Sequence, residues 1–135
     1  MEPDDILQLH STTRRIQAVD ADLSASAFTN VNLAGAQFND VKLAAALIEN
    51  ANLSNLRIQD ANLSTSEFTN VNLSAAQFKD VKLADALIQD ADLSNLRIHD
   101  ANLRNASITD SLLEGMTING IPVENLLAAY RRLNP

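Results

Sequence analysis

The run Leu23-Ser-Ala-Ser-Ala-Phe28-Thr-Asn-Val-Asn-Leu33-Ala-Gly-Ala-Gln-Phe38 decides how this chain folds, because its large apolar residues fall at every fifth position. Stepping by five from Leu23 meets Leu, Ile or Phe at twenty consecutive positions and ends at Ile118. Two residues before each stands a small or apolar residue, such as Ala21, Val31, Ala46, Leu56 or Met116. A period of five matches neither the roughly 3.6 of a helix nor the roughly 2 of a strand. Within each unit the order is small-in, polar-out, large-in and then two polar residues, which predicts a very short strand followed by a corner. Such a unit cannot bury an apolar face alone, but stacked units share one continuous core.

A second sorting, by 20 residues, separates the large residues by type. One face stacks Leu23, Leu43, Leu63, Leu83 and Leu103, and the opposite face Leu33, Leu53, Leu73, Leu93 and Leu113. The remaining faces hold only Phe and Ile: Phe28, Ile48, Phe68, Ile88 and Ile108, then Phe38, Ile58, Phe78, Ile98 and Ile118. This predicts four units per turn, with Phe and Ile alternating to relieve crowding in a narrow core. Residues 23–62 and 63–102 are also near copies, which fits either a natural duplication or a constructed insertion.

Units such as Ala21-Asp22-Leu23, Ala51-Asn52-Leu53, Ala61-Asn62-Leu63, Ala91-Asp92-Leu93 and Ala101-Asn102-Leu103 resemble those of the pentapeptide-repeat family, Ala-(Asp/Asn)-Leu-x-x. The resemblance implies an all-β fold, a right-handed quadrilateral β-helix over residues 19–120, of about five coils and roughly 24 Å long at the usual strand spacing. Its gyrase-protecting, quinolone-resistance-related members are acidic dimeric rods that resemble DNA and bind type II topoisomerase. That makes a topoisomerase a candidate partner, although this chain is shorter and has no long loop among its repeats.

Composition bounds the function. Of the 135 residues 46% are hydrophobic but only 4% aromatic, so the core is aliphatic. A net charge of −7 argues against direct nucleic-acid binding, which needs surplus Lys and Arg, and against anionic membranes. The absence of Cys excludes disulfides and thiolate metal sites. The acidic start Met1-Glu2-Pro3-Asp4-Asp5 predicts no secretory leader, and a cytoplasmic, bacterial setting is expected. No Gly-rich phosphate loop, paired-His motif or calcium loop occurs. His10 and His99 have no recurring partner, and serines such as Ser24, Ser54, Ser64, Ser74 and Ser94 read as turn filler. No catalytic residue, cofactor or metal is expected, and the chain is read as an interaction or scaffold protein. The alternatives are a DNA-mimic modulator of gyrase and a purely structural, even engineered, solenoid.

Two sets of residues are the candidate sites. Asp40, Asp60, Asp80 and Asp100 stack at one corner, with Asn30, Asn50, Asn70, Asp90 and Asp110 read as the adjacent corner. Like charges at strand spacing repel by about 1 kcal/mol in water. Hydrogen bonds accepted from turn N–H groups, and damping by Arg57, Arg97, Lys42 and Lys82, are the plain explanation; a functional negative stripe is the sharper one. After Ile118, residues 121–135 read as a helical cap whose Leu126, Leu127, Tyr130 and Leu133 lie near one face and are expected to close the core and pair two chains. Leu47 and Leu87 are read as isolated exposed residues, and residues 1–18 as an irregular N-terminal cap built on Ile6, Leu7, Leu9 and Ile16.

Overall fold

The computed structural model describes residues 17–135. Residues 1–16 of the expected N-terminal cap, His10 among them, lie outside the described residues, and its last two, Gln17 and Ala18, lie in the first strand. Within them the elements run β1 (Gln17–Val19), β2 (Ala27–Thr29), β3 (Gln37–Lys42), β4 (Leu47–Asn52), β5 (Arg57–Asn62), β6 (Glu67–Asn72), β7 (Gln77–Lys82), β8 (Leu87–Gln89), β9 (Arg97–His99), β10 (Ser107–Thr109), β11 (Thr117–Ile118), β12 (Ile121–Pro122) and α1 (Val123–Leu133). The odd strands to β11, then β12, form a seven-stranded sheet, and β2, β4, β6, β8 and β10 a five-stranded one. Every parallel pairing is offset by 20 residues, as in Phe38↔Ile58↔Phe78↔Ile98 and Phe28↔Ile48↔Phe68↔Ile88↔Ile108. The chain is therefore a four-sided β-solenoid of about five coils followed by one short helix.

The coil closes because the chain enters the left-handed region at every fifth residue. Described residues numbered in multiples of five from Asp20 to Gly120 all have positive φ, between 50° and 78°. Corners of two kinds alternate. After each Leu, an i→i+3 hydrogen bond closes a turn, for example Ala46 N–H to Leu43 C=O at 3.1 Å and Leu56 N–H to Leu53 C=O at 3.1 Å. A positive φ at the third residue, Ala45 or Asn55, fits a type II turn. After each Phe or Ile the strand instead bends through a single residue and continues, so β3 runs through Asp40 to Lys42. From Asp20 to Asp110 these ten bend residues are all Asp or Asn. Asp and Asn visit this conformation more readily than other non-Gly residues.

The inward positions carry the core. Leu63, Phe68, Leu73, Ala76 and Phe78 are fully buried in the middle coil, and the Phe68 and Phe78 rings face each other at 6.5 Å between centroids. Ser66, at a small inward position, satisfies its hydroxyl by donating to Leu63 C=O at 2.7 Å. The outermost coils are looser: Leu23, Phe28, Leu103, Ile108 and Leu113 are only partly buried. Leu47 and Leu87 are half-buried rather than exposed, because each lies in register with Glu67 on a neighbouring coil.

The two sheets end differently. β12 pairs antiparallel with β11 and closes the seven-stranded sheet, whereas the five-stranded sheet stops at β10. Helix α1 buries only Val123, near Met116, whose C=O accepts from Val123 N–H at 2.9 Å. Leu126, Leu127, Tyr130 and Leu133 remain 43%, 37%, 65% and 81% exposed, so in the single chain this apolar set does not close the core.

Candidate functional site

The Asp ladder is built by the backbone. Asp40, Asp60, Asp80 and Asp100 sit at bend corners with φ of 54°, 54°, 53° and 52°. Among the described residues their carboxylates accept no hydrogen bond from turn N–H groups, contrary to the expectation. That role falls to an Asn or Asp standing two residues after a bend, a place that Lys42 and Lys82 take after Asp40 and Asp80. Asn52 Oδ1 accepts from Ser54 N–H at 3.0 Å, Asn62 Oδ1 from Ser64 N–H at 3.0 Å and Asn72 Oδ1 from Ser74 N–H at 2.9 Å. Asp22 and Asp92 do the same for Ser24 and Ser94 at 3.0 Å. The Ser24 hydroxyl and N–H hold the Asp22 carboxyl below its ordinary range, with a smaller contribution from Lys42. The Ser94 hydroxyl and N–H do so for Asp92. These serines are thus partners of an Asx turn rather than filler.

The column Asn30, Asn50, Asn70, Asp90 and Asp110 is not adjacent to the Asp ladder. A ten-residue step is half a coil, which puts this column on the five-stranded side. There Asn70 Nδ2 donates to Asn50 Oδ1 at 2.6 Å, an amide ladder that neutral side chains can form and paired carboxylates cannot.

Sorting the charged residues by the same register reveals a partition that the apolar pattern hides. All six Lys and Arg of residues 17–120, namely Lys42, Arg57, Lys79, Lys82, Arg97 and Arg104, fall on the flank that carries the seven-stranded sheet and the Asp ladder, as does His99. Lys42 and Lys82 line one shallow groove with Asp40, Asp60 and Asp80. The other flank comprises residues 26–35 and their 20-residue equivalents up to 106–115. It carries Glu49, Glu67, Asp90, Asp92, Asp110 and Glu114 with no Lys, Arg or His. A second shallow groove runs along it between the Asn50–Asp110 and Asn52–Leu112 columns. The mixed flank nearly cancels its own field, while the cation-free flank presents an uncompensated one. Among the described residues, no group of His, Cys, Asp or Glu is arranged to hold a metal ion.

The regular coil has counterparts. The family described as Pentapeptide repeat region matches residues 21–98. The chain belongs to the pentapeptide-repeat family. The crystal structure of the pentapeptide-repeat protein Rfr23, from the cyanobacterium Cyanothece 51142, superposes with a TM-score of 0.63 at 17% identity, covering 78% of this chain and 82% of that one. A pentapeptide-repeat protein of the Arabidopsis thaliana thylakoid lumen gives 0.49 at 22% identity over 82% and 73%. QnrB1, a plasmid-mediated fluoroquinolone resistance protein, gives 0.34 at 14% over 90% and 97%. Among curated proteins no sequence matches. The likeness to Rfr23 establishes the pentapeptide-repeat fold. Among the described residues, no helix is long and apolar enough to cross a membrane.

Proposed function

We propose that this pentapeptide-repeat chain is a non-enzymatic interaction protein of the bacterial cytoplasm whose rigid rod offers its cation-free flank to a basic protein partner. The observation that carries this reading is the partition of charge: six carboxylates and no cation on one flank, all the coil cations on the other. The parallel ladders hold the backbone that carries these carboxylates, with Asp90 and Asp110 stacked one coil apart, so that backbone loses little freedom when a partner docks. The reading moves the operative charge away from Asp40, Asp60, Asp80 and Asp100, which share their flank with Lys42, Arg57, Lys79 and Lys82. It also weakens the DNA-mimic alternative, which draws on that ladder; a gyrase supercoiling assay is its direct check.

The test is anisotropy of a labelled lysine-rich peptide against the full chain at low and high salt. Glu49→Lys with Glu67→Lys is expected to abolish most binding, and Asp60→Lys with Asp80→Lys to leave most of it. Equal losses, or binding indifferent to salt, would overturn the assignment of the flank.

The exposed apolar face of α1 supports a second element of the reading, a homodimer. Four large apolar side chains on one short helix are an unusual surface for a monomer, and two-fold pairing is the commonest closed arrangement. Sedimentation is expected to give a dimer, and a monomer for Leu127→Asp with Tyr130→Asp. A wild-type chain that stays monomeric at high micromolar concentration removes this element alone.

A further inference from the structure

The end of the five-stranded sheet has the features of a strand-accepting edge. Edge strands are commonly protected by Lys, Pro, a bulge or a covering element. The seven-stranded sheet has such protection in β12, with its Pro122. The five-stranded sheet ends in Ser107-Ile108-Thr109, which has neither Lys nor Pro, and Ser107 and Thr109 are exposed.

In the coils below, the backbone groups that face along the rod are taken. Ser66 C=O accepts from Leu87 N–H and Ala86 C=O from Ser107 N–H, both at 2.9 Å, and Asp90 N–H donates to Thr109 C=O at 3.3 Å. Their equivalents one coil on, Ala106 C=O and Asp110 N–H, meet no partner among the described residues. Beside them Ile108 is only half-buried and Leu112 is 64% exposed. The carboxylates on this end of the flank are Asp90, Asp92, Asp110 and Glu114, with no cation among them.

We propose that β10 is a docking edge for an extended basic segment of a partner protein, which adds to the five-stranded sheet as a further parallel strand. Backbone pairing with Ala106 C=O and Asp110 N–H fixes its register. An apolar side chain continues the column over Ile108, as Phe or Ile does in every coil below. Flanking Lys or Arg answers Asp110 and Glu114, and this charge complementarity selects the occupant. The charge requirement rests on the acidic-flank reading, whereas the backbone pairing does not.

Two peptides of equal charge separate the two. Lys-Lys-Thr-Ile-Thr-Lys-Lys can pair as a strand; Lys-Lys-Pro-Ile-Pro-Lys-Lys lacks the N–H groups on either side of Ile, the first of which would face Ala106 C=O. With the full chain, the first is expected to bind saturably and slow hydrogen exchange at the Asp110 amide. The second, and the first against Asp110→Asn with Glu114→Gln, are expected to bind roughly tenfold more weakly or worse. Equal binding of both peptides with no change at Asp110 would overturn the docking edge and leave the acidic flank standing. No binding of either would overturn both. An Asp110 amide already protected in the free chain, and released by Leu127→Asp with Tyr130→Asp, would give the edge to a second copy and overturn the proposal.

Discussion

β6, Glu-Phe-Thr-Asn-Val-Asn from Glu67 to Asn72, and β7, Gln-Phe-Lys-Asp-Val-Lys from Gln77 to Lys82, occupy opposite sides of one coil. Their inward residues are identical, Phe68 and Val71 against Phe78 and Val81, and all four are buried. Their bend residues share one conformation, with φ of 53° at both Asn70 and Asp80. Everything that differs points outward, where β7 gains Lys79, Asp80 and Lys82 and β6 keeps Glu67 without a cation. The fold constrains the inward column and the left-handed corner and leaves the outward columns to function. The two strands separate those demands inside a single turn of the solenoid.

Deletions should disturb the two sides of the coil most severely. Removing residues 63–67 shifts the register by five, sets Leu over Phe and Ile throughout the remaining coils, and is expected to abolish cooperative unfolding. Removing residues 63–72 shifts it by ten. That keeps Leu over Leu and Phe over Phe or Ile, but exchanges the two flanks beyond the cut, bringing Lys79 and Lys82 over to the cation-free side. This chain is expected to fold, as judged by circular dichroism and a single urea transition, and to lose the lysine-rich peptide. A ten-residue deletion no better folded than the five-residue one would refute the four-unit coil.

Within the intact chain, Phe68→Ala and Phe78→Ala are each expected to lose about 3–5 kcal/mol in urea denaturation, by the same amount to within about 1 kcal/mol. Both rings are fully buried in the same layer and each contacts the other. A large inequality would mean that the flanks differ in their core as well as their surface.

Smaller effects come from the corners. Thr65 is β-branched yet holds φ at 59°, a conformation costly for its side-chain type. The same column has Asn at Asn105, with an identical φ. Thr65→Asn is therefore expected to raise stability by about 0.5–1 kcal/mol by relieving that strain, although it gives up the hydroxyl bond to Ser64 C=O. A loss of stability would show that the hydroxyl bond outweighs the strain.

These corners mark where the sequence is transparent and where it is not. The inward columns and the 20-residue register are legible directly, because burial admits only Leu, Ile, Phe and small residues there. The bend corners are nearly as legible, since Asp or Asn stands at each. The turn corners are less so: Gly, Asn or Asp stands at six of the ten, but Ala25, Ala45, Ala75 and Thr65 have no preference for positive φ, and there closure of the coil imposes it. The helix is legible in its span but not in its packing, since an amphipathic pattern names an apolar face without naming what covers it. The charge partition obeys the same 20-residue arithmetic in the outward columns, which the apolar pattern does not display.

The two flanks also differ in how they hold a single carboxyl, Asp22 on the mixed flank and Asp92 on the cation-free one. Each accepts from a serine two residues on, and each has its carboxyl held below the ordinary range chiefly by that serine's hydroxyl and N–H. Only Asp22 is also helped by a cation, Lys42. A carboxyl depressed in the folded state contributes stability above the unfolded pKa, about 3.9, and loses it as pH falls through the folded value. Asp92→Asn keeps the amide oxygen as acceptor, as Asn72 does one coil below, and should therefore lose less stability than the wild type between about pH 7 and pH 3. Salt distinguishes the flanks. Screening weakens the attraction of Lys42, so the Asp22 pKa should rise with ionic strength, whereas Asp92 has only like charges to be screened from and should not rise. Carboxyl-carbon titration by NMR at low and high salt reads both residues in one sample. A rise at Asp92 equal to that at Asp22 would mean that a cation reaches the five-stranded flank, and the partition of charge would no longer describe the folded rod.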